Sequence, residues 1–94
     1  MSDQGESSSL AELIGQKVVL DMIGPYVYLG QLTGFDHRYC ILENCDVHDL
    51  RETTTTRELY VHEARVHGIR PSRRKVLVSR EQIVSLSVLK DVIP

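Results

Sequence analysis

Tryptophan is absent from this 94-residue chain, and Phe35 is its single phenylalanine. Any core must therefore be aliphatic. A chain this short has room for one small domain, near the lower limit of what a single core stabilises unaided. So thin a core makes edge-to-edge association a natural further source of stability. No apolar run approaches the length of a membrane span. Residues 1–9 are acidic and serine-rich, unlike the basic start and apolar stretch of a secretory signal. These absences point to a cytoplasmic protein with no membrane partner. Cysteine is scarce as well: Cys40 and Cys45 stand five apart. On one continuous strand they would face opposite sides, a poor geometry for a mutual disulfide. Cys40 is expected as a small buried hydrophobe, and Cys45 as the more accessible thiol.

The residues of catalysis are also missing. No nucleophile–base pair, glycine-rich phosphate loop or paired-carboxylate site stands out. His62-Glu63-Ala64-Arg65-Val66-His67 resembles a zinc-protease box, but its histidines are five apart in a strand-like segment. Ligation from one helix face needs a spacing of four. Asp46 and His48 share a strand face with Glu43 on the other, and without a third ligand they read as a solvated polar face. No enzyme activity, metal or cofactor is expected.

What the chain does have is a sharp charge asymmetry. Residues 1–63 hold eleven acidic and four basic side chains. Residues 64–80 hold Arg65, Arg70, Arg73, Arg74, Lys75 and Arg80 with no acid at all. A polyanion would meet one basic segment on an acidic protein whose net charge is −2.

Alternation and turn residues predict an all-β chain of five strands. Residues 1–7 are expected to be disordered and 8–94 to form one domain. Ser9 and Glu12 match a capping box for a short helix that stops at Gly15, with Leu10, Leu13 and Ile14 as its apolar stripe. Strands follow at 17–22 and 26–35, joined by a Gly24-Pro25 turn, and at 38–50. Gly30 would bend the second strand sharply over its own sheet, with Leu32 aimed at the core. Residues 51–74 form an enlarged connection. Its four threonines read as a polar tip, and Leu59, Val61 and Glu63 alternate with Tyr60, His62 and Ala64. That alternation predicts the return arm of a long hairpin projecting beyond the sheet. The last two strands, 76–79 and 83–89, flank a tight turn.

Gly30, Leu32, Phe35 and Asp36 reproduce the Gly-x-Leu-x-x-Phe-Asp end of the first Sm motif. With its flanking strands, the chain resembles the Sm/Lsm proteins, whose bacterial branch includes Hfq. Residues 76–79 and 83–86 supply the strands of the second motif, with Ser79-Arg80 where relatives carry Arg-Gly. The resemblance covers about 8–50 and 75–90. It implies a small, strongly bent antiparallel barrel, and head-to-tail pairing of the fourth and fifth strands into a ring of about five to seven subunits. It also implies non-catalytic binding of single-stranded RNA at pore-facing loops.

Asp36, His37, Arg38 and Tyr39 occupy the loop that lines the pore in that family. A carboxylate to fix the loop, an imidazole, a guanidinium plane and a phenol suit stacking on a base and reading its edge. The Asn of the archaeal and eukaryotic loops is missing, and the shorter spacing is nearer the Hfq branch. The plainer alternative is a turn capped by Asp36, with His37 and Arg38 solvated. Arg80 would face the same pore and offer phosphate a planar donor, or else pair with Glu81 at the surface. Arg70, Arg73, Arg74 and Lys75 are candidate phosphate contacts, or a charged guard on an edge strand. A second functional class stays open: an oligomeric protein-interaction scaffold on the same fold, with RNA binding lost.

Overall fold

The computed structural model describes residues 9–52 and 54–93; the segment expected to be disordered, 1–7, lies outside them. Five antiparallel strands form one bent sheet: β1 Lys17–Met22, β2 Tyr26–Phe35, β3 Tyr39–Asp49, β4 Arg73–Ser79 and β5 Ile83–Val88. Their order is β4-β3-β2-β1-β5, so the last two strands in the chain are the two edges of the sheet. A one-turn 3-10 segment, Arg80–Gln82, joins them. Residues 9–11 are helical and include Ser9, so the helix begins at or before the residue predicted to cap it. Gly15 closes this N-terminal turn at φ 90, donating to the Leu32 carbonyl at 2.7 Å.

One face of the sheet carries the main core. Val18, Leu20, Leu32, Cys40, Leu42, Cys45 and Val78 are buried together, with Leu13, Tyr28 and Phe35 packed against them. The aliphatic core that the missing tryptophan demanded is what forms.

Two expectations fail, and for physical reasons. Residues 51–74 are not a projecting hairpin. Arg57–His67 form an α-helix, α1. Thr56 caps it, its hydroxyl accepting from the Leu59 amide at 3.2 Å. Gly68 ends it at φ 89, donating to the Ala64 carbonyl at 2.8 Å. Val61 and Ala64, three apart, form its buried stripe. They pack on Val19, Val27, Leu29 and Leu89, which makes a second core on the other face of the sheet. Burial on both faces overrides the weak alternation of 58–66.

The helix also covers the polar positions expected to be solvated. Tyr60 donates its hydroxyl to Asp46 at 2.6 Å, and its ring stacks on His48 at 4.2 Å. Ser72 donates to the other Asp46 oxygen at 2.6 Å, and Arg57 pairs with Asp21 at 3.2 Å. Burial, then the Asp46 carboxylate, push the Tyr60 phenol well above its ordinary range. Asp46 and His48 therefore anchor α1. The zinc-protease look-alike lies on this helix, where a spacing of five sets His62 and His67 about 140° apart. His67 pairs instead with Glu63 at 3.3 Å.

The second correction concerns Cys45, which is buried to the same 1% exposure as Cys40. Leu29 pairs with Asp46 and Gln31 with Glu43, so Asn44 and Cys45 together oppose Gly30. This β-bulge, with Asn44 at φ 49, breaks strand parity and returns Cys45 to the core that holds Cys40. Both thiols are free, and burial raises the pKa of each.

Candidate functional site

Phe35 ends β2 at a turn that Asp36 organises. Its Oδ1 accepts from the amides of Arg38 and Tyr39, each at 2.7 Å, and its own amide donates to the Tyr39 carbonyl at 2.9 Å. These two amide donors, led by Arg38, hold the carboxyl below the ordinary aspartate range. The arrangement follows from residue type, since a short carboxylate reaches back to main-chain N–H groups two and three residues on. His37 and Arg38 are left exposed at the tip and Tyr39 half-buried.

Arg80 joins this loop to the next. Its amide donates to the Arg38 carbonyl at 2.9 Å, and its guanidinium donates to the Asp36 carbonyl. The two loops therefore form one unit, although 44 residues separate Asp36 from Arg80. Among the described residues no ion pair links Arg80 to Glu81. One guanidinium N–H is used on the carbonyl, and the fork keeps further donors. A cleft of about 380 Å³ opens here, lined by His37, Arg38, Tyr39, Ser79 and Glu81. Sequence reasoning missed Glu81 as part of this surface, though its place in the β4–β5 turn was visible.

The other basic candidates are elsewhere. Arg73, Arg74 and Lys75 lie exposed on the edge strand β4, which starts three residues earlier than predicted. Lys75 is four strand residues before Ser79, about 13 Å at ~3.3 Å per residue, so it does not share the loop cleft. Arg70 lines a different cleft with Glu63 and His67, beneath α1. Among the described residues no group of three His, Cys, Asp or Glu side chains is placed to hold a metal ion. No helix among them is long and apolar enough to cross a membrane.

Solved structures decide the fold. The Sm-like protein of Methanococcus vannielii superposes at a TM-score of 0.60, with 16% identity, over 94% of this chain and all of that one. The fold is that of the Sm proteins. A Pyrococcus abyssii Sm protein, solved in complex with a uridine heptamer, matches at 0.58 with 12% identity, over 87% of this chain and 94% of that one. A chain of the NatC complex bound to CoA also matches, at 0.57 with 14% identity, over 84% of this chain and 82% of that one. No protein-family model and no curated protein matches the sequence.

Proposed function

We propose that the chain is a non-catalytic subunit of a homo-oligomeric Sm-like ring that binds single-stranded RNA at the joined 36–39 and 79–81 loops. The observation that carries this reading is the Asp36–Arg80 junction. It fixes two loops into one surface that presents an imidazole, a guanidinium and a phenol around a single cleft. Single-strand binding needs flat side chains for stacking and polar groups for base edges, and loops placed by a rigid sheet commonly supply them. The uridine complex of the Pyrococcus Sm protein supports the same class of ligand. In this reading the 8–94 domain is the repeating unit. β4 of one subunit pairs with β5 of the next, and about five to seven copies close the ring. Leu77 on β4 and Val84 on β5 are 52% and 67% exposed, which suits edges that await a partner. Two free thiols fit a reducing compartment, and the cytoplasm is the one we propose.

Replacing His37 and Arg38 by alanine tests the site. Binding of short single-stranded RNA should fall by well over tenfold, because stacking contributes about 1–3 kcal/mol per base and each subunit loses its platform. The variant R73A/R74A/K75A should lower the salt dependence while leaving base preference unchanged. A wild-type protein that binds no RNA even at low salt defeats the reading.

The scaffold reading would then take its place. The match to a chain of the NatC complex favours it.

A further inference from the structure

We propose that Lys17, Arg65 and Lys90 form a second anion site, one that takes a phosphate group and is separate from the loop cleft. A cleft of about 550 Å³ opens where three stretches distant in sequence converge: the Gly15 turn running into β1, the last turns of α1 and the end of β5. Its lining includes three cations and no carboxylate, on a protein in which acids outnumber bases 13 to 11. The ion pairs among the described residues use Arg51, Arg57 and His67, so these three cations have no carboxylate partner there.

The side chains are more than a scatter of surface charge. Arg65 Nε makes a long contact of 3.4 Å to the Lys90 carbonyl, and its four terminal N–H donors are left over. Gly15 and Gly68 line the same cleft at φ 90 and 89, and a Cβ on either would meet nothing within 4 Å. A ligand can therefore sit close over the main chain at both, although their amides already donate to the Leu32 and Ala64 carbonyls, so the donors must come from the side chains. Buried Ala64 and Leu89 supply an apolar wall, against which charge attraction is screened less than in open water. The carbonyl end of α1 by itself disfavours an anion, and the three unopposed cations reverse that sign. One guanidinium fork and two ammonium groups suit a multi-oxygen phosphate better than a single carboxylate. The phosphate source is the backbone of single-stranded RNA or a free polyphosphate. This inference goes beyond the ring reading and does not need the loop site.

The test follows backbone amides of the full chain by NMR, with inorganic pyrophosphate as the first probe. Saturable shifts at Gly15, Lys17, Arg65, Gly68 and Lys90, abolished in K17A/R65A/K90A, are the expected result. All three side chains are exposed, so the variant should melt with the wild type, and R65K should keep a weakened response. Shifts confined to Arg73–Lys75, or non-saturating at every basic residue, overturn the site. A phosphodiester RNA and its uncharged methylphosphonate analogue then separate the sources. RNA that shifts these amides where the analogue does not identifies the backbone, and the triple variant should lower the logarithmic salt slope by about 2. Pyrophosphate that shifts these amides where RNA does not identifies a free polyphosphate; it supports this site and leaves RNA binding at the loop cleft to its own test.

Discussion

A Cβ on Gly30 would stand 2.6 Å from the Cβ of Cys45, closer than real Cβ atoms approach. The missing side chain lets β2 and β3 close over the bulge at Asn44-Cys45, and the bulge turns Cys45 into the core. Cys45 Cα and Leu42 Cβ, both at 3.2 Å, block the other ways out. Gly30→Ala should therefore destabilise the fold by about 1–3 kcal/mol or more, as overpacking does, and lower the urea midpoint accordingly. Adding Cys45→Ala should give no rescue, since alanine keeps the offending Cβ. Recovery in that double variant would place the clash elsewhere.

The same bulge changes what thiol chemistry should find. Cys40 and Cys45 are each 1% exposed and each raised in pKa by burial. Both should react with a thiol reagent slowly and at similar rates, and quickly only in denaturant. Fast labelling of Cys45 alone in the native protein would mean that strand parity holds and the bulge is absent.

Asp36 gives the loop a pH dependence whose sign can be worked out. Its folded pKa is lowered by the Arg38 and Tyr39 amides, so the ordering it contributes is full above the ordinary carboxylate range. That contribution is lost as pH falls through the lowered value. The Arg38 and Tyr39 amide resonances should move together on acidification, and Asp36→Asn should remove the shared titration. Amides that titrate unchanged in Asp36→Asn would assign the effect to another group.

All five strands were legible in the sequence, because alternation, Gly24-Pro25 and the Gly30–Asp36 motif agree on where the chain turns. The helix was not. Leu59, Val61 and Glu63 mimic strand period, and the threonine run was read as a polar tip. Its capping role was the better signal: Thr56 opens α1, Gly68 closes it, and basic Arg65 and His67 sit in the last turn. The bulge left a fainter trace, a single Asn that tolerates positive φ. For the site, the 36–39 loop and the Arg80 turn were visible separately. Their junction was not, since a guanidinium bonded to a main-chain carbonyl leaves no pattern in residue types.

Thr56 offers a direct check on the helix. Thr56→Ala should cost about 1 kcal/mol through the lost N-cap, whereas a threonine in an extended tip would cost almost nothing. Tyr60→Phe should add about 1–2 kcal/mol by leaving the Asp46 carboxylate short of a donor. Thermal melts of both variants give the comparison.

Ring closure is the claim on which the function proposed for this fold depends, and the mass in solution tests it most directly. Sedimentation at micromolar concentration should show one species of about five to seven copies of the 10.7 kDa chain, with little monomer. Charge reversal on the β4 edge at Arg74, or proline at Val84 on β5, should break it down. A wild-type protein that sediments only at 10.7 kDa, with both edges left in solvent, would contradict the account.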